Sequence, residues 1–158
     1  MKSLSGMSIL ITGGGSGLGL GAARYFIAAG ARVTICGRRE DKIRVAAGEL
    51  GENCLGVPAD ITVGADRERL VAAAVEHGGG LGALINNAGN MYRGPITGLE
   101  QDKLLEIFNT NVVAGMMLTG LAVPHLSETE GAVLFIGSIH TRRAFPGASP
   151  YAATTAAV

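Results

Sequence analysis

Cysteine is scarce: Cys36 and Cys54 are the only two in 158 residues. Two thiols, each inside an apolar run, make no multi-bridge framework and read as reduced core residues. With His77, His125 and His140 they show no metal-ligand spacing, so no metal site is expected. Excess charge is missing as well. Thirteen basic and thirteen acidic side chains cancel, which leaves no electrostatic reason for nucleic acid or an anionic membrane as partner. Basic residues are scattered apart from the pairs Arg38-Arg39 and Arg142-Arg143. No uninterrupted apolar run approaches the roughly 20 residues of a membrane span. The segment Met1-Lys2-Ser3-Leu4-Ser5-Gly6 has no apolar signal core. A cytoplasmic protein is expected.

Glycine and apolar side chains are plentiful, with 25 glycines and a hydrophobic share of 47%. The stretch Ile9-Leu10-Ile11-Thr12-Gly13-Gly14-Gly15-Ser16-Gly17-Leu18-Gly19 reads as a buried strand entering a glycine turn and then a helix. A helix N-terminus offers unpaired N–H groups and the positive end of its dipole to a phosphate. Glycine lets the backbone take positive φ and lets an anion approach with no Cβ in the way. Placed between strand and helix, the pattern proposes a dinucleotide site.

The rest of the chain alternates in the same manner. Helices are expected over 17–29, 40–50, 66–77 and 101–123, the last with Leu104, Leu105, Phe108, Val112 and Met116 at helical spacing and Pro124 as its stop. Strands are expected over 32–36, 54–57, 83–85 and 132–136. Gly30, Gly51 and Gly78-Gly79-Gly80 follow helices, as C-terminal caps do. Apolar strands alternating with helices predict a doubly wound α/β fold, a parallel Rossmann-type sheet of about five strands covered on both faces. Ligands then sit outside the carboxyl ends of the strands. With no linker or repeat visible, residues 1–158 read as a single dinucleotide-binding domain.

The turn Thr12-Gly13-x-x-x-Gly17-x-Gly19 resembles the cofactor turn of the classical short-chain dehydrogenase/reductase family. Asp60 after the third strand, the turn Asn86-Asn87-Ala88-Gly89, Asn111, and the separation of Ser138 from Tyr151 extend that resemblance essentially from Ser8 to Val158. It implies an NAD(P)-dependent oxidoreductase that moves a hydride between an alcohol or carbonyl substrate and a nicotinamide. By resemblance, Thr12, Gly13, Gly15, Ser16, Gly17, Leu18, Gly19, Asp60, Ile61, Asn87, Ala88 and Gly89 hold the cofactor. Tyr151 is then the acid/base, Ser138 orients the substrate oxygen, and Asn111 supports a proton relay. Arg38 and Arg39 stand at the end of the second strand, where an acidic residue would bond the ribose hydroxyls and repel a 2′-phosphate. A guanidinium pairs with phosphate, so NADP(H) is favoured, while the uncharged Ser16 keeps NAD(H) open. His140, Arg142 and Arg143 lie between serine and tyrosine, either as a solvated loop or as contacts to substrate or cofactor.

Two departures stand out. The family's tyrosine is followed four residues later by a lysine, and here Thr155 holds that place. No lysine follows Lys103. A unit charge about 4 Å away at an effective dielectric of 20 is worth roughly 4 kcal/mol, about three pKa units of support for tyrosinate. Threonine supplies none of it, so impaired turnover is expected. Family members also usually continue well past the tyrosine helix, so the C-terminal part of the fold reads as missing. The fifth strand would then be an exposed edge and the long helix would lose cover, which predicts homo-oligomerisation. Beside the impaired oxidoreductase stand two alternatives: an inactive nucleotide-binding or interaction module, and a fragment of a longer active enzyme.

Overall fold

The computed structural model describes residues 4–143 and 145–158. Met1 to Ser3, which open the segment read for a signal core, lie outside the described residues. Five parallel strands form one sheet: β1 (Ser8–Thr12), β2 (Arg32–Gly37), β3 (Cys54–Pro58), β4 (Ala83–Asn86) and β5 (Ala132–Phe135). Their order is β3-β2-β1-β4-β5, so the chain reverses its direction of travel between β1 and β4. In open sheets of this kind, ligands bind where that reversal leaves a crevice beyond the strand ends.

Strand periodicity divides the core in two. Ile9 and Ile11 of β1, Val33 and Ile35 of β2, and Ile85 of β4 face one side, packed with Ala23, Ile43 and Ala46. Leu10, Cys36, Val57 and Leu84 face the other, with Leu70, Val71, Ala74, Leu118 and Leu126. The first side is covered by α1 (Gly17–Ala28) and α2 (Glu40–Leu50), the second by α3 (Gly64–Gly78) and the helices after β4. Each fully buried Ile or Leu contributes about 1.5–3 kcal/mol. A continuous apolar run such as Ile9-Leu10-Ile11 is therefore what a sheet covered on both faces requires.

The helix read over 101–123 is a composite. α4 (Gln101–Phe108) passes into a π-turn (Asn109–Val113), and α5 (Ala114–Glu128) follows without a break. Pro124 does not end it. Gly120, whose carbonyl the missing proline N–H would have bonded, is exposed, as is Pro124 itself, so water can serve that carbonyl and the helix continues. The buried seam also differs from the spacing read in sequence. Ile107, Val112, Ala114, Leu118, Ala122 and Leu126 are buried, while Leu105, Phe108 and Met116 are exposed. A π-turn inserts an extra residue and rotates the faces before and after it against each other. By length and composition the segment Gln101–Glu128 is long and apolar enough to cross a membrane, but its seam is packed on the sheet and α3.

The cover is incomplete at one edge. Among the described residues β5 pairs only with β4, and Leu134 is 51% exposed. After β5 a short 3-10 turn (Ile139–Thr141) precedes α6 (Ser149–Ala156). That last helix begins two residues before Tyr151 rather than at it, because Pro150 fits the first helical turn.

Candidate active site

The glycine turn is held against the turn after β4 at short range. Thr12 Oγ1 accepts from the backbone N–H of Asn87 and of Ala88, both at 3.0 Å. The Asn87 amide donates back to Thr12 O at 2.9 Å and to Gly13 O at 3.3 Å. A Cβ on Gly19 would stand 2.5 Å from both Asn87 Nδ2 and Gly13 O, so glycine there serves packing between helix and turn. Gly17 is different: its surroundings are open, but its φ of +54° is a left-handed conformation that favours glycine. Ser16 precedes α1 in extended conformation with its hydroxyl making no capping bond. The N–H groups of the first turn of α1 therefore have no side-chain cap.

Two clefts open beyond the strand ends. One, of about 350 Å³, is lined by Gly13, Gly15, Ser16, Arg38, Arg39, Lys42, Asp60 and Ile61, among others. The second, of about 280 Å³, is lined by Thr12, Leu18, Asn86, Asn111, Tyr151, Thr154 and Thr155, among others. Ile61, Asn87, Ala88, Gly89, Asn90 and Thr110 line both. The two halves thus share a wall and form one elongated groove across the switch point. Its far end is cationic: no ion pair among the described residues uses Arg38, Arg39 or Lys42. Asp60 borders the groove with Oδ1 turned to its own loop, accepting from Thr62 N–H at 3.0 Å and Thr62 Oγ1 at 2.7 Å. The Asp60 N–H donates to Asp66 at 2.8 Å. That bond, with the Arg69 guanidinium, holds the Asp66 carboxyl below its ordinary range.

At the opposite end, Tyr151 and Thr155 line the groove one helical turn apart on α6. Thr155 is buried, its hydroxyl donating to Ala152 O at 3.1 Å. Asn111 sits in the π-turn and uses its whole amide locally. Its Oδ1 accepts from Asn90 N–H at 2.7 Å, and its Nδ2 donates to Asn90 O at 2.9 Å and to Thr154 Oγ1 at 3.0 Å. The side chain ties the loop after β4 to α6 and so positions Tyr151. Ser138 lies just beyond Ile136 and Gly137, which line the groove. Its Oγ is 3.0 Å from Nδ1 of His140, whose ring meets the Tyr151 ring edge-on at 5.1 Å. Arg142 and Arg143 are exposed.

Among the members of the site not singled out in the sequence are Asn90, Lys42, Thr154 and Thr110. Lys42 stands in the first turn of α2, three residues after Arg39, the extended residue that precedes the helix. Thr154 is the α6 partner of Asn111, and Thr110 borders both halves of the groove. Lys42 was open to its nearness in sequence to Arg38 and Arg39; Thr154 and Thr110 depend on where the π-turn meets α6.

Comparison with known proteins agrees with this geometry. The sequence model of the short chain dehydrogenase family matches residues 7–158. An oxidoreductase of Sarocladium schorii is 32% identical over 159 residues, covering 100% of this chain and 64% of that protein. L-fucose dehydrogenase of Bos taurus is 33% identical over 157 residues, covering 98% of the chain and 57% of the relative. An uncharacterized oxidoreductase of Staphylococcus aureus (strain MRSA252) is 31% identical over 160 residues, covering 100% and 69%. The chain spans about two thirds or less of the length of the first two.

Proposed function

The chain belongs to the short-chain dehydrogenase family, and from that premise we propose that it holds NADP(H) in the groove while Thr155 limits alcohol–ketone chemistry. It is an oxidoreductase scaffold of the NAD(P)-dependent type, and that family acts on small molecules. The observation that carries the finer reading is the asymmetry of the groove, with unpaired cations at one end and an uncharged acid/base end at the other.

The residues present fit the family's cofactor. The glycine turn leaves the N-terminus of α1 uncapped beside the groove, a setting that suits a pyrophosphate. Arg38, Arg39 and Lys42 suit a 2′-phosphate through charge-assisted hydrogen bonds. The uncharged Ser16 keeps NAD(H) as the alternative dinucleotide. When bound, the nicotinamide supplies or accepts the hydride. In this reading Tyr151 gives a proton to, or takes one from, the substrate oxygen, and Ser138 donates a hydrogen bond to that oxygen. Asn111 holds α6 so that Tyr151 stays at the groove wall. Thr155 orders the helix but brings no positive charge to favour tyrosinate, so proton transfer is slow.

The rival reading is a nucleotide-binding module without turnover, which the same Thr155 favours. Consumption of NADPH against a panel of ketones separates the two when run on this chain and on Thr155→Lys. The lysine variant is expected to raise turnover by about 10²–10⁴-fold, the usual range for positioned acid–base catalysis. Bound cofactor with no gain in the variant would sink the role given to position 155. Residues 1–158 act in this account as a single dinucleotide-binding domain, and the reduced thiols Cys36 and Cys54 support a cytoplasmic setting. The exposed Met116, Met117, Leu121 and Val123 on α5 support association with a second copy.

A further inference from the structure

We propose that His140 is a positioning residue that decides where the Ser138 hydroxyl sends its proton. The inference rests on the oxidoreductase reading of the site, in which Ser138 must donate to a substrate oxygen.

Ser138 has extended backbone and caps the 3-10 turn that follows it. Its Oγ accepts from the backbone N–H of His140 at 3.3 Å and lies 3.0 Å from Nδ1 of the same residue. A hydroxyl oxygen has one proton and two lone pairs, and a neutral imidazole has one N–H and one bare nitrogen. Two arrangements follow. With the imidazole proton on Nδ1, both lone pairs of Oγ are filled by donors. The serine O–H then has no acceptor among the described residues and is left for a ligand oxygen. With the imidazole proton on Nε2, the serine O–H turns back onto Nδ1 and Ser138 offers a substrate a lone pair but no proton.

The surroundings of the ring choose between them. Nε2 is buried and has no hydrogen-bond partner among the described residues. The ring lies against Phe145, centroids 4.4 Å apart at 36°, and against Tyr151, 5.1 Å apart at 79°. An N–H in that place is a buried donor with no oxygen or nitrogen among the described residues to receive it. Orphaned buried N–H groups are rarer than under-satisfied acceptors, so the bare lone pair belongs on Nε2 and the proton on Nδ1. The same ring contacts both Ser138 and Tyr151 and holds the serine loop against α6. Ser138 is then a hydroxyl donor whose direction is set by a neighbouring side chain.

Long-range ¹H–¹⁵N spectra of the histidine rings, recorded on the native chain at a pH where imidazole is neutral, read the tautomer directly. Nδ1 of His140 is expected as the protonated nitrogen, and Ser138→Ala should move that resonance while leaving His77 and His125 in place. A proton on Nε2, or an Nδ1 resonance indifferent to Ser138→Ala, overturns the proposal. This readout needs no turnover, so it stands apart from the fate of the hydride-transfer reading. In the Thr155→Lys background with NADPH and a ketone, His140→Asn keeps a side-chain donor and His140→Asp offers only an acceptor. The aspartate variant is expected to lose at least about tenfold more kcat than the asparagine variant, with KM for NADPH unchanged in both. Equal losses would also overturn it.

Discussion

Thr155 is buried beside Tyr151 and satisfies its hydroxyl within α6. It suits the helix and brings no positive charge there, and its place four residues after the tyrosine was legible in the sequence. Lys42 was legible in principle from its distance to Arg39, yet charge on a helix surface usually means only solvation, and the groove was needed to give it a task. The thiols show how far burial alone carries a residue. Burial pushes Cys36 from 9.0 up to about 12 and Cys54 up to about 11. The unfolded chain therefore ionises both thiols at a lower pH than the native protein does. Their contribution to stability is whole below about pH 9 and is lost as pH climbs toward those folded values. Urea midpoints should fall across pH 9–11 and fall less steeply in a Cys36→Ala/Cys54→Ala variant. Identical slopes in the two proteins would mean that other groups govern the alkaline limb.

Among elements, helix ends marked by glycine were read closely. Gly30, Gly51 and Gly79 have φ of +93°, +81° and +70°, and side chains rarely follow there. Elements set by tertiary context were read less well. Pro124 lies inside α5, since an exposed Gly120 carbonyl needs only water. The π-turn cannot be seen in hydrophobic spacing, because the extra residue breaks the 3.6 period that such spacing assumes. Its purpose is visible only in three dimensions, where Asn111 on the turn bonds both Asn90 and Thr154. Asn111→Ala removes three hydrogen bonds and is expected to cost about 2–3 kcal/mol, at a net value near 1 kcal/mol for each. Chemical denaturation measures this; a loss below about 0.5 kcal/mol would show that the bonds are replaced by water without strain.

For the whole molecule, the doubly wound sheet and its switch point followed from alternation of strand and helix, and the groove from the strand ends that this topology brings together. The sharing of a wall by its two halves was not legible, because it depends on the turn after β4 packing within hydrogen-bond reach of Thr12. Exposed apolar side chains on α5 and β5 predict self-association at that side. Sedimentation velocity over a wide concentration range should show a rising mean mass, and a constant monomer would contradict it.

Titration of this chain with NADPH and with NADH, followed by nicotinamide fluorescence, tests the central claim that the groove holds a dinucleotide by its cationic end. Saturable binding is predicted, tighter for NADPH. Arg38→Ala and Lys42→Ala should each weaken NADPH by at least about tenfold, as expected for a lost charge-assisted contact worth 1.5–3 kcal/mol, and should leave NADH nearly unchanged. Absence of saturable binding, or a preference for NADH that neither substitution alters, would contradict the account.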